Sequence, residues 1–273
     1  MRRFPFEGRL LVCDMDGTLL DGSGRVSGEN RKALQRFTEG GGLFTLATGR
    51  MEFSVRPYLE ELPVNVPAIL YNGAVIYDFG RKAVLWEDNL RPEVLGTVKR
   101  VLEHFPGIGI QVYHGGRVYF AKENEYTDAH RTRENFDPIR VDIDHVPQPW
   151  NKVILEWHPE KLRRVEEFLQ GCKEPFSHVY SEPQFLELLN RGASKGNALK
   201  ALTGILGAPK PCVIAMGDNF NDKELIEAAD VGIAVDNAPG AVKAAAAVCC
   251  ARHDMHAVAE VIGWIEEEKI ARM

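Results

Sequence analysis

Leu10-Leu11-Val12-Cys13-Asp14-Met15-Asp16-Gly17-Thr18 runs from a short apolar segment straight into two carboxylates one residue apart. Four consecutive apolar residues are what the middle of a parallel sheet requires, since both of its faces are covered. The strand's exit through Asp-x-Asp-Gly then sets two negative charges at the carboxyl edge of that sheet, where open α/β sheets place their ligands. Two carboxylates this close repel each other unless a cation lies between them or one keeps its proton. Taken alone, the stretch is equally a strand followed by an ordinary Asp-Gly turn, so its meaning depends on what surrounds it.

Outward from this stretch the chain alternates. Ser27 is positioned to cap a helix reaching Glu39, with Ala33, Leu34 and Phe37 at helical spacing. Gly40-Gly41-Gly42 follows that helix and precedes a strand, which makes it a helix stop and not a phosphate loop. A second strand at 43–47 ends in Thr48-Gly49-Arg50, a helix is expected over 51–61, and a third strand at 68–71. Short connections in this order imply parallel pairing. Asn72-Gly73 reads as a tight turn into a strand at 74–78.

From about Lys82 the grammar changes. Strand-like pieces at 108–113, 117–121, 151–157 and 177–188 surround helical segments near 91–104, 123–134 and 159–170. A hairpin about His114-Gly115-Gly116 makes this region α+β. Alternation resumes at Ser194-Lys195-Gly196: a helix to about 207, a buried strand at 212–216, helix 223–229, strand 231–235, helix 239–246, a short strand near Val248 and a last helix from His256. The expected organisation is one α/β domain over 1–81 and 190–273, with an α+β domain inserted at 82–189.

Composition narrows the function. Of 273 residues, 45% are hydrophobic and 26% charged, ordinary for a globular protein with a real core. Lys and Arg number 33 against 39 Asp and Glu, a net charge of −6 that argues against a nucleic-acid partner. The basic start Met1-Arg2-Arg3-Phe4 lacks the apolar stretch of a signal peptide, and no run approaches the roughly 20 residues that span a bilayer. The five cysteines have no metal-ligand spacing and are read as reduced core thiols, which points to the cytoplasm.

Three strand ends thus converge on one edge, bearing Asp14 and Asp16, Thr48, and Asp218 with Asn221 and Asp222. Converging carboxylates are the expected ligands of a hard divalent cation such as Mg²⁺. Helix capping is the competing role for the second acidic loop, above all for Asp222. At this point the chain resembles a known family. Asp14-Met15-Asp16-Gly17-Thr18, Thr48, Lys195 and Gly217-Asp218-Asn219-Phe220-Asn221-Asp222 are similar, in order, to the four motifs of the haloacid dehalogenase superfamily of phosphohydrolases. Ala47–Arg50, Asn72–Ala74 and Ser194–Gly196 extend the resemblance to its Cof-type subgroup, which carries a type IIB cap. It covers about 9–80 and 185–262, while the insert corresponds only in position and size.

The resemblance implies a doubly wound, Rossmann-like parallel sheet with an inserted α+β cap, and a Mg²⁺-dependent phosphatase acting on a small phosphorylated metabolite. Asp14 would be the nucleophile, forming an aspartyl-phosphate. Asp16 would be general acid and then base, Thr48 a donor to the phosphoryl oxygens, and Lys195 a neutralising charge. The implied metal ligands are Asp14, the backbone carbonyl of Asp16, Asp218 and, directly or through water, Asp222. Gly17, Gly49, Arg50, Asn72 and Asn221 are candidates to contact the substrate. In the cap, His114, His130, Arg131 and Arg133 could face a phosphorylated sugar or cofactor, although such residues are more often solvated. Cys13 neighbours the nucleophile but points to the opposite face, and Arg252–His256 departs from the Gly-bearing loop usual in the family. A sugar phosphate is the leading substrate class, for a monomer or homodimer with no nucleic-acid or membrane partner. A phosphosugar mutase and a non-catalytic phospholigand-binding protein are the alternatives.

Overall fold

The structure is a computed structural model that describes residues 5–173 and 176–269, so the basic start Met1–Phe4 lies outside the described residues. The chain divides into two compact units, one holding residues up to Arg50, Val55–Trp86 and from Ser194 onward, the other Met51–Ser54 and Glu87–Ala193.

In the first unit β1 (Arg9–Cys13) leads to α1 (Gly28–Glu39) and β2 (Leu43–Leu46). After the second unit come α6 (Lys195–Leu206), β12 (Cys212–Gly217), α7 (Lys223–Ala228), β13 (Val231–Val235), α8 (Gly240–Lys243), β14 (Val248–Cys250) and α9 (Ala257–Glu266). The five strands form one parallel sheet in the order β14-β13-β12-β1-β2. Leu10 to Cys13 are all fully buried, which in a pleated strand means that both faces are covered. Leu10, Val12, Val213 and Ala215 pack with Ala198, Leu199 and Leu202 of α6 and Leu225 of α7. Ser27 caps α1, its hydroxyl accepting the amide N–H of Asn30 at 3.2 Å, and Gly40 ends it.

The third expected strand behaves differently. β3 (Ala68–Leu70) pairs antiparallel with β4 (Val75–Asp78), and with β5 (Ala83–Glu87) they make a separate three-stranded sheet. A parallel bridge between Ala47 and Ile69 ties it to the parallel sheet. β5 therefore carries the first unit past residue 81, the expected boundary. The helix expected over 51–61 is broken into α2 (Glu52–Val55) and a 3-10 turn at Arg56–Glu60. Pro57 causes this, because it has no N–H to donate and its ring obstructs the carbonyl four residues back. Likewise α8 is shorter than the helix expected over 239–246.

The second unit holds α3 (Val94–His104), β6 (Gly109–His114), β7 (Arg117–Lys122), α4 (Glu125–Glu134), β8 (Ile139–Arg140), β9 (Lys152–Glu156), α5 (Pro159–Gln170), β10 (Phe176–Glu182) and β11 (Phe185–Asn190). Its sheet runs β10-β11-β9-β6-β7-β8, antiparallel except for β7–β8. The segment 177–188 is thus a hairpin and not one strand, turned at Pro183-Gln184. One sheet face, with Ile110, Val112, Val153, Leu155, Leu186 and Leu188, packs against α3 and α5. The alternate positions Gln111, Lys152, Glu156 and Glu187 are polar yet buried.

The cysteines correct another expectation. Cys13 and Cys250 are buried, but Cys172 and Cys212 are partly exposed and Cys249 is exposed. β14 lies at the sheet edge, where alternation turns one of two adjacent thiols outward. Among the described residues no helix is long and apolar enough to cross a membrane.

Candidate active site

The carboxyl ends of β1 and β12 and the start of α6 bring four charged side chains into one buried cluster. Asp14 follows β1 directly, and its amide donates to Met216 O at 3.0 Å. Lys195 opens α6 behind Ser194, whose hydroxyl accepts the amide N–H of Asn197. Fully buried, its ammonium donates to Asp14 Oδ1 and to Asp222 Oδ1, each at 2.6 Å. Asp222 spends its other oxygen on the backbone, Oδ2 accepting the N–H groups of Asp218 and Asn219 at 3.0 Å each. It therefore does both things asked of it at the sequence level, folding the 217–222 loop and facing the site. Asp218 accepts the Thr18 hydroxyl at 3.2 Å.

Asp14, Asp218 and Asp222 each present one carboxylate oxygen within 4.8 Å of the others. The electrostatics follow from three acids and one base in a small dry volume. Burial and then Asp222 push the Asp14 carboxyl well above the usual carboxylate range, against the pull of Lys195. Burial and Asp222 also raise Asp218, to about 6. Burial works against the Lys195 charge, but Asp14 and Asp222 outweigh it and hold the ammonium protonated. One cation among three carboxylates leaves an excess of negative charge on hard oxygen donors, and the cluster could hold a divalent metal ion.

Asp16 is not part of this cluster. Its carboxylate is 58% exposed and accepts Arg50 Nε and Nη2 at 2.7 Å each. Any contribution of Asp16 to a metal falls to its backbone carbonyl, and the guanidinium of Arg50 is committed to Asp16. Gly17, directly after Asp16, lies in the left-handed region at φ +80°. A Cβ there would lie 2.4 Å from Asp218 Oδ2, so only glycine lets the two loops approach.

Thr48, Gly49, Asn72 and Asn221 gather beside the cluster. Thr48 Oγ1 accepts the Arg50 amide at 3.1 Å, and Asn72 donates its own amide to Thr48 O at 3.0 Å. Gly49 lies against the Asn72 side chain. Asn221 Nδ2 donates to Asn72 Oδ1 at 2.9 Å, while Asn72 Nδ2 and Asn221 Oδ1, both buried, have no partner among the described residues. A buried amide N–H without an acceptor is costly unless a ligand supplies one. The turn that presents Asn72 depends on Gly73, at φ +97°, where a Cβ would strike the Ser194 carbonyl group at 2.2 Å.

Sequence reasoning missed three contributors. Thr18 holds Asp218. Asn237 Nδ2 donates to Gly17 O at 2.8 Å, and its Oδ1 accepts the His253 amide. His253 Nδ1 lies 2.8 Å from Leu20 O, so the 252–256 segment that departs from the family pattern still braces the Asp14–Thr18 loop. The position of Asn237 just past β13, a fourth strand end on the same edge, was the available signal. Of the candidates in the second unit, His130 is buried between Glu134 and Glu156 and not solvated. Arg131 pairs with Asp128, Arg133 with Glu182, and His114 Nδ1 lies 2.6 Å from Pro149 O.

The chain is similar to known proteins over nearly its whole length. The family of haloacid dehalogenase-like hydrolases matches over residues 11–262. Phosphatase YwpJ of Bacillus subtilis is 30% identical over 93% of this chain and 98% of its own. The 5-amino-6-(5-phospho-D-ribitylamino)uracil phosphatase YwtE of the same organism is 27% identical over 93% of this chain and 96% of its own. A solved haloacid dehalogenase-like hydrolase from Bacteroides thetaiotaomicron superposes with a TM-score of 0.81 at 29% identity, over 95% of this chain and 99% of its own. The chain belongs to the haloacid dehalogenase-like hydrolases. Within them it is a phosphatase.

Proposed function

We propose that the protein is a Mg²⁺-dependent phosphomonoesterase that hydrolyses a small phosphorylated metabolite, foremost a sugar or sugar-alcohol phosphate, through an aspartyl-phosphate on Asp14. The observation that carries this reading is the buried Asp14 carboxylate at the end of β1, held by Lys195 through Oδ1. Asp14 would attack phosphorus while the P–O bond to the leaving group breaks and Asp16 gives that oxygen its proton. Water would then attack the acyl phosphate and return a proton to Asp16, releasing phosphate and restoring Asp14.

The remaining residues act by position. Thr48 Oγ1 already accepts the Arg50 N–H, so its own hydrogen is directed outward to a phosphoryl oxygen, and the orphaned Asn72 Nδ2 is a second donor. Lys195 balances charge between nucleophile and phosphoryl group. Asp222 holds Lys195 and the 217–222 loop, a positioning task. Asp14, Asp218 and the Asp16 carbonyl would hold Mg²⁺, with Asp222 behind them. When bound, the cation supplies the positive charge that lets an anionic nucleophile approach an anionic phosphate.

The sugar-alcohol phosphate named for the YwtE relative supports the substrate class. Substrate choice is assigned to the second unit, which carries none of the four motifs. Cysteines held as thiols and not as disulfides fit a reducing, cytoplasmic setting. Phosphate release with Mg²⁺ across sugar phosphates, nucleotides, pyridoxal phosphate and flavin mononucleotide tests the reading. Release from at least one sugar phosphate is expected. Interconversion of sugar phosphates without release would make the protein a mutase, and silence across the whole panel would overturn hydrolysis.

A further inference from the structure

Arg50 sits where a substrate-binding arginine would be expected, yet its guanidinium is used within the protein. Nε and Nη2 make two parallel hydrogen bonds to the two oxygens of Asp16, at 2.7 Å each, the fork geometry that fixes a carboxylate's plane as well as its place. The guanidinium is itself held. Its carbon lies 5.3 Å from the centroid of the Tyr58 ring, Nη1 donates to the Tyr58 hydroxyl at 3.5 Å, and that hydroxyl donates to Gly24 O at 3.0 Å. The Arg50 side chain is only 15% exposed while the carboxylate it grips is 58% exposed. A well-packed arginine thus anchors an acid that would otherwise sample several rotamers in water.

We propose that Arg50 is a positioning residue that acts on the reaction through Asp16, fixing the carboxyl that exchanges protons with leaving group and water, and does not hold the phosphoryl group. The inference rests on the proposed role of Asp16 as general acid and base. It separates Arg50 from Thr48 and Asn72, whose free donors serve the phosphoryl oxygens. It also explains why the 56–60 turn and the 20–26 loop meet at Tyr58: they buttress the guanidinium.

Leaving-group dependence and a double-mutant cycle test it. A general acid matters for an alkoxide and much less for p-nitrophenolate, which leaves without a proton. In single-turnover formation of the aspartyl-phosphate, Arg50→Ala should slow the alkyl phosphate by roughly 10-fold to 100-fold and p-nitrophenyl phosphate by less than about 3-fold, and Asp16→Asn should widen that contrast. In an Asp16→Asn background, Arg50→Ala should change kcat by less than about 3-fold, because the group it acts through is gone. Arg50→Lys, which retains the charge but not the fork, should be intermediate, and it serves if the alanine variant fails to fold. A raised KM with unchanged kcat would make Arg50 a phosphate ligand and overturn the proposal, as would equal losses of that first step on both esters or equal losses of kcat in both backgrounds. Full activity of Asp16→Asn on alkyl phosphates would instead remove the acid–base role of Asp16, and the present inference with it.

Discussion

Asp14 and Lys195 pair at 2.6 Å in the buried site, and neither could be buried without a partner of opposite charge. A carboxylate taken out of water costs several kcal/mol unless a charge of opposite sign meets it. Here one ammonium meets two carboxylates, and Asp218 beside them accepts the Thr18 hydroxyl; with one cation for three acids, burial and Asp222 raise both Asp14 and Asp218. Asp14→Asn tests the nucleophile with little change in shape. An amide cannot attack phosphorus, so turnover should fall by roughly 10³-fold or more while the thermal unfolding curve keeps its cooperative form. Activity within tenfold of the parent would remove Asp14 from that role. At this scale the sequence was most informative about residues adjoining strand ends. It was silent on the direction of the Asp16 side chain and on Asn237, 220 positions from the glycine it braces.

Among the elements, α4 has the least reason in its own sequence to be ordered. Glu-Tyr-Thr-Asp-Ala-His-Arg-Thr-Arg-Glu offers no apolar stripe. Two devices compensate. Asn124 accepts the amides of Tyr126 and Thr127 while Thr127 Oγ1 accepts the Asn124 amide, a reciprocal cap. His130 then reaches the sheet, Nδ1 lying 2.9 Å from Glu156 Oε1 and Nε2 3.2 Å from Glu134 Oε1, with Arg133 and Glu182 nearby. Ser54 Oγ donates to Glu134 Oε2 at 2.8 Å and secures the 51–54 segment to the same helix. Burial works against the His130 charge, but Glu134 and Glu156 outweigh it and raise its pKa from 6.5 to about 9. A folded-state pKa above the unfolded one stabilises the protein fully below pH 6.5 and loses that contribution as pH rises through about 9. The unfolding free-energy advantage of the parent over His130→Gln should therefore be largest near the low end of that window, on the order of 2 kcal/mol, and shrink above it. A gap that stays constant across the window would refute the ion-pair account.

At the scale of the whole molecule, the carboxylate cluster that could hold a metal ties together distant parts of one chain. Asp14 and Asp218 directly follow strands brought side by side by β1–β12 pairing, in register from Arg9 with Cys212 to Cys13 with Met216. The unfolded chain has no such site, so a cation binding only the folded form must stabilise it, by about 2.7 kcal/mol at a hundredfold excess over Kd. Saturating Mg²⁺ should raise Tm, and Asp218→Ala should abolish most of the rise without depending on any activity assay. Equal Tm values with and without Mg²⁺ in the parent would exclude a bound cation at this cluster.

Most of the architecture was written locally. Apolar runs of four or five residues named the buried strands, Ser27 and Ser194 named helix starts, and the two acidic loops named the edge where chemistry belongs. Those signals survive without the fold because they depend on a residue and its near neighbours: burial on both faces, a hydroxyl that caps, a glycine that turns. Tertiary structure decided what depends on partners far away in sequence. It placed β3 in a separate antiparallel sheet, ended the 51–61 helix at Pro57, buried His130 between two acids, and turned Arg50 from the substrate to Asp16. A side chain with several possible partners has no preference until folding sets which of them lies within about 3 Å, and that distance is a property of the packed molecule.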